Sequence, residues 1–228
     1  MTVSVQSLRF ADAREAADLG AFLGRLLHYD RAAAVRLQAG GGALAVFGRP
    51  PSFDVLAIRT ARLFDACDLD VTVSAGDLLE ALPDEGADAA ALPAPVTGPP
   101  WAGVLPPRGG WRERSGLPGP AALRAALTAA VTEFRDRDEA LPEDRRTRTE
   151  RDRIGHDIWS RTLADTELPL RAVHAAQSLG FLRAAPDFPV ALLTAGSWLR
   201  LRTPYGSVAL RRAGAAGGLG SLAVSVTG

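Results

Sequence analysis

Three histidines, one cysteine and the complete absence of lysine limit the chemistry open to this sequence. All 26 basic side chains are arginine, so Schiff-base and lysine-nucleophile chemistry are excluded. Cys67 lies between Asp65 and Asp68. Their charge opposes thiolate formation, and an inert thiol is expected rather than a nucleophile. No G-x-S-x-G elbow is present. Ala195, Gly196, Ser197 and Trp198 lack the second glycine and precede a strand-like run. His156 and Asp157 form an adjacent pair of the kind used by some metal-dependent phosphohydrolases. Such a centre needs another histidine upstream and an acid downstream on neighbouring helices. Here His28 precedes a strand region, and the downstream acids are Asp165, Glu167 and Asp187. No metal site is expected on that ligand count. The glycines at 40–42 join two strand-like runs and open no helix, which disfavours a phosphate loop. The glycine-rich stretch 214–220 opens none either. Neither a catalytic residue nor a cofactor is assigned, and an enzyme is the less favoured reading.

Arginine remains as the main functional group, and its distribution is uneven. The 228 residues carry a formal net charge of zero. Residues 1–110 hold 9 Arg and 13 acids, a net of −4. Residues 111–228 hold 17 Arg and 13 acids, a net of +4. From Leu168 onward there are 6 Arg and one acid, Asp187, a net of +5. Such a split marks either an anion-binding surface or two halves that attract each other. Every cation is a planar, permanently charged fork suited to carboxylate or phosphate.

The elements that must carry these groups follow from periodicity. Asp12 and Glu15 form a helix-start signature, and Ala16, Leu19, Phe22, Leu23, Leu26 and Leu27 predict a helix over about 12–28. Strand-like runs follow at 35–38, 43–47, 53–60 and 69–73, broken by Gly and Pro, as in an antiparallel meander. Ser74 is placed to cap a short helix to about 82. Eight prolines between 83 and 119 exclude regular structure there. Trp101, Val104, Leu105 and Trp111 lie within that stretch, which argues for an ordered crossing segment strapped to a body. Pro120 suits the first turn of a helix to about 139. Further helices are expected over about 143–163, with Asp144 and Arg148 paired, and over about 167–182. Residues 189–194 are apolar enough for a strand. A hairpin is expected from 198–203 and 207–211, and an edge strand at 222–226. The runs 35–46 and 199–210 echo each other faintly.

The helix ending in Leu179, Gly180, Phe181 and Leu182, followed by a hairpin bearing Arg200, Arg202 and Arg211, resembles a winged helix-turn-helix over about 50 residues. That resemblance implies a helix in the DNA major groove and wing arginines on phosphate. It would place Arg171, His174, Gln177, Ser178 and Arg183 towards nucleic acid, with Arg200, Arg202 and Arg211 on the wing. The alternative is a core helix packed on a sheet, which has the same amphipathic period.

Together these readings predict an α+β protein. Residues 1–82 form a helix and antiparallel-sheet domain, 83–119 the crossing segment, and 120–228 a helical region ending in the hairpin, with the outer two sharing a core if they pack together. The composition, at 47% hydrophobic and 23% charged, suits a globular chain and matches GC-rich bacterial coding. No apolar run reaches the roughly 20 residues that span a bilayer, and no secretory leader is seen. A cytoplasmic, non-enzymatic binding or regulatory protein is expected, with a protein or a second copy as partner and no membrane. A nucleic-acid partner is the first alternative. A hydrolase or transferase acting on a phosphate-bearing or acidic small molecule is the second.

Overall fold

The computed structural model describes residues 7–83, 89–184 and 187–212. The expected strand at 222–226 and the glycine-rich stretch 214–220 lie outside the described residues.

The fold is α+β, and every strand pair in it is antiparallel. A short strand β1 (Ser7–Arg9) leads into helix α1 (Ala13–Tyr29). The Asp12 side chain accepts the Glu15 N–H at 3.0 Å, so the helix starts where the sequence signature puts it. Ala16, Leu19, Phe22, Leu23 and Leu26 are buried along one side. The meander is β2 (Ala34–Gly40), β3 (Ala43–Gly48), β4 (Leu56–Arg62) and β5 (Leu69–Ser74). Ser74 Oγ accepts the Asp77 N–H and caps α2 (Ala75–Ala81). A three-residue strand β6 (Ala89–Ala91) then pairs with β1.

The second half adds β7 (Arg112–Arg114), α3 (Pro120–Glu139), α4 (Arg148–Trp159), α5 (Leu170–Ser178), β8 (Ala191–Ala195), β9 (Trp198–Thr203) and β10 (Gly206–Arg211). Helix α4 begins five residues later than expected. Thr147 Oγ1 accepts the Glu150 N–H, and this Thr-x-x-Glu box starts the helix, while 143–145 form only a 3-10 turn. The expected Asp144–Arg148 pair gives way to Arg148–Asp152 at 3.7 Å. Helix α5 is shorter than expected because Leu163 and Leu168 close a turn before it and Gly180 takes a φ of +76° after it.

Eight strands form one sheet in the order β5-β2-β3-β4-β10-β9-β8-β7. Two three-strand meanders, β2-β3-β4 and β8-β9-β10, meet where β4 pairs with β10. Both hairpins of the sequence echo lie in this sheet. The topological equivalents, however, are β2-β3 and β8-β9, one strand out of step with the echo.

Strand alternation gives the sheet two apolar faces. Val35, Leu37, Leu44, Val46, Ala57, Leu199, Leu201, Val208 and Leu210 face α1, α2 and α5 and join a core drawn from both halves. Phe47, Leu56, Ile58, Trp198 and Ala209 form a smaller cluster on the other face, and Trp101, Leu105 and Trp111 of the Pro-rich segment pack against it. That segment crosses the second face, and contrary to the expectation of no regular structure it holds β6 and β7, three-residue strands in its proline-free gaps, and a 3-10 turn over Pro100–Gly103. The Val96 N–H donates to the Thr72 carbonyl on β5, and β7 pairs with β8 at the far end. No helix among the described residues is long and apolar enough to cross a membrane.

Gly206 opens β10 at φ +151°, and a Cβ there would stand 2.4 Å from the Phe181 ring. Phe181 itself stacks on Phe22 of α1 at 5.8 Å and is fully buried, so it has no room to yield. Gly206→Ala is expected to destabilise the chain by about 2–4 kcal/mol in urea unfolding, combining overpacking with backbone strain. Gly40→Ala meets nothing within 4 Å and should change stability by less than about 1 kcal/mol. Equal effects of the two substitutions would refute this account of the joint.

Candidate functional site

A cavity of about 720 Å³ lies between the β3–β4 loop and helices α3, α4 and α5. Each wall has a local cause. In the loop, Pro50 and Pro51 break β3, and Ser52 and Asp54 take left-handed φ values of 70° and 51°. Such φ values are strained for residues other than glycine and persist only when their surroundings hold them. Arg49 Nη2 donates to Asp54 Oδ1 at 2.9 Å and pins the turn, which sends Phe53 inward. Arg171 and His174 lie three apart on α5, and Arg151, Gly155 and Trp159 lie four apart on α4, so each set shares one helix side. Phe134 comes from α3.

Six rings run in an unbroken series, of which Phe53, His174, Trp159 and Phe134 line the cavity. His28 meets Tyr29 at 5.5 Å, Tyr29 meets Phe53 at 5.5 Å, and Phe53 meets His174 at 5.1 Å, each edge to face. Trp159 lies over His174 at 4.6 Å, and Phe134 beside Trp159 at 6.4 Å. The series ties the end of α1 to α3 through residues more than a hundred positions apart. Aromatic pairs of this kind add about 0.5–1.5 kcal/mol each beyond their burial.

Both signs of charge line the cavity: Asp54 and Asp152 stand with Arg151, Arg171 and the two histidines. Arg171 Nε is buried without a hydrogen-bond partner among the described residues. Arg151 Nε donates to Asp138 Oδ1 at 2.7 Å, and this bond holds the Asp138 carboxyl below its ordinary range. Burial lowers the His174 pKa from its ordinary value near 6.5, so the ring is neutral at pH 7. His156 reaches the wall but is exposed, while its neighbour Asp157 is engaged elsewhere, accepting from Arg137 at 2.6 Å and Arg161 at 3.2 Å. Hydrogen bonding from Arg137 first, then Arg161, lowers the Asp157 pKa. The His-Asp pair is thus split, and no group of three or more metal-ligating side chains occurs among the described residues. At Cys67, burial first and Asp68 second push the thiol pKa up.

The arginines singled out from the sequence go to three places. Arg171 and His174 line the cavity. Gln177 is exposed on the same helix. Arg183 is a tie between elements: it donates to Asp18 Oδ1 at 3.1 Å and lies 4.0 Å over the Tyr205 ring. Arg200, Arg202 and Arg211 project from the opposite face of the sheet, where Arg200 lies 5.6 Å over Trp111 and Arg211 5.1 Å over Trp198. The geometry therefore differs from the winged helix that the sequence resembles. Helix α5 is buried on the sheet, and β9 is an interior strand between β8 and β10 rather than a free wing. Phe53, Phe134 and Trp159 were not marked as site residues by sequence reasoning. The signal available was Trp159 on a helix otherwise poor in large apolar residues.

Residues 3–103 match the family model described as domain of unknown function DUF8010, and residues 106–215 match domain of unknown function DUF8185. No curated protein matches. Among solved structures, the chain is similar to the DNA polymerase sliding clamp from Pseudomonas aeruginosa, at 14% identity and a TM-score of 0.49 over 91% of this chain and 64% of that one. It is also similar to the same clamp with ligand, at 13% identity and a TM-score of 0.47 over 90% and 63%. The chain thus spans a little under two thirds of the clamp's length.

A lowered histidine pKa couples the cavity wall to pH. Below the unfolded pKa near 6.5, the unfolded chain takes up a proton that folded His174 resists. Stability contributed by neutral His174 is therefore complete above about pH 6.5 and lost as pH falls towards the folded pKa. Denaturation midpoints should drop between pH 7 and pH 5, and His174→Phe should flatten that slope. An unchanged slope in the variant would show that His174 is not the group responsible.

Proposed function

We propose that this chain is a binding protein and that the cavity between the β3–β4 loop and α3–α5 holds a small molecule with a planar ring and an acidic group. One observation carries the reading: Arg171, with its Nε buried and unpartnered among the described residues, lines a cavity walled by aromatic rings in edge-to-face and tilted contact. A buried charge is costly unless it is paired, and a ligand anion supplies the missing partner. Ring faces at Phe53, Trp159 and Phe134 offer stacking surfaces for a planar body. Of the charged residues that line the cavity, Asp54 is paired with Arg49, Arg151 with Asp138 and Asp152 with Arg148, which leaves Arg171 as the lining arginine without an ion pair among the described residues. A volume of about 720 Å³ falls within the roughly 300–1,000 Å³ of typical ligand sites.

Tryptophan fluorescence tests this with four probes: AMP, p-nitrophenyl phosphate, salicylate and p-aminobenzoate. At least one should saturate, with adenosine or inorganic phosphate binding at least ten-fold more weakly than AMP if AMP is the one. Arg171→Gln should weaken that binding roughly ten- to a hundred-fold, the range for a hydrogen bond to a charged group. If none of the four saturates, or if Arg171→Gln binds like the parent, the reading fails.

A further inference from the structure

The face of the sheet opposite that cavity carries a second feature. Where the Pro-rich segment crosses it, a trough of about 360 Å³ remains between strap and strands. Its floor comes from cross-strand neighbours with small or apolar side chains. Ala45 stands opposite Thr60, and Phe47 opposite Ile58. Pro106 and Pro107 form the roof. Prolines present no N–H groups, so this wall is apolar along its backbone as well.

Two cations line the trough, Arg200 and Arg108. Arg200 is mostly buried, its Nε has no partner, and neither arginine has an ion pair among the described residues. Burial first and the neighbouring Arg202 second disfavour its charge. The Trp111 ring at 5.6 Å offsets this only in part, since a cation–π contact at partly exposed sites gives about 0.5–1 kcal/mol. Proteins seldom keep a buried guanidinium without a counter-charge. The contrast with Arg36 on the same face is direct, because Arg36 Nε donates to Asp70 Oδ1 at 2.7 Å.

We propose that this trough is a binding site for a small apolar carboxylate, with its head group on Arg200 and Arg108 and its tail along Ala45, Phe47 and Ile58 beneath the strap. One planar guanidinium fork matches one carboxylate, and the apolar floor matches an aliphatic tail rather than a polar ligand. The site lies on the other side of the sheet from the Arg171 cavity and does not depend on it.

Decanoate is the probe, with decanol as its uncharged counterpart, measured by titration calorimetry on the full chain. Decanoate should bind saturably at one site, and decanol at least ten-fold more weakly. Arg200→Gln should weaken decanoate at least ten-fold. Ala45→Leu, which fills the floor, and Arg108→Ala, which leaves the sheet untouched, should each weaken it measurably even if Arg200→Gln fails to fold. Saturating AMP should leave the isotherm unchanged. Absence of saturable decanoate binding, equal binding of decanol, parent-like binding by the folded variants, or displacement by AMP would each overturn the proposal.

Discussion

Arg59 is the interaction on which the rest of this structure depends. It projects from β4 on the helical side of the sheet, 7% exposed, at the seam where β4 meets β10. One nitrogen donates to the Tyr205 carbonyl in the β9–β10 turn at 2.7 Å, and another to Asp18 of α1 at 3.1 Å. Asp18 also accepts from Arg183 at 3.1 Å, beyond the end of α5. Arg59 and the half-buried carboxylate of Asp18 thus tie together the first helix, the first meander, the last hairpin and the chain leaving α5. Such a centre adds little net stability over an apolar replacement, but removing one partner strands a buried charge. Its effect is specificity. The seam has only three paired positions, Leu56 to Ile58 against Ser207 to Ala209, and a slip of one residue would turn Arg59 into the wrong face.

The same accounting of buried guanidinium groups identifies the two candidate sites. Three buried side-chain polar atoms lack partners among the described residues, and all are arginine Nε atoms, on Arg59, Arg171 and Arg200. Arg59 is compensated by its other nitrogens. Arg171 and Arg200 have no ion pair among the described residues, and each lines a cavity. Internal architecture explains the first, and the other two are the starting points of the two proposals. The sheet separates them, so each site can be tested with the other intact.

Much of the fold was legible because its causes are local. Period-two runs gave β9 and β10 nearly to the residue and the middle of β2, a continuous apolar run gave β3, and Pro120 marked the start of α3. The Pro-rich stretch was readable as a strap because Trp101, Leu105 and Trp111 would not sit in water there. The late start of α4 was also written locally, in Thr147 and Glu150, but a long alternation of charges before it mimics a solvated helix. The candidate site was less legible. Its rings come from a loop and three helices, and nothing local to Phe53 announces His174 as its neighbour. Arg171 and His174 were visible as a shared helix side, yet amphipathic spacing does not say whether that side meets DNA, solvent or a cavity. Likewise the +5 segment suggested one basic surface, whereas the strands put Arg200, Arg202 and Arg211 on one face while α5 holds Arg171 on the other.

The absence of lysine bears on both faces. A lysine ammonium is compact and strongly hydrated, and it holds its charge at the end of a flexible stem. The guanidinium group is planar and weakly hydrated, so it can lie flat against a ring and still offer a fork at its edge. Arg9 lies over Phe64, Arg183 over Tyr205, Arg200 over Trp111 and Arg211 over Trp198. At Arg183 the edge is used by Asp18. Arg200 lies beside the Trp111 ring and lines the trough, with no ion pair among the described residues. An all-arginine composition thus lets a sheet carry cations within its apolar clusters, where lysines would have to extend to water to remain charged.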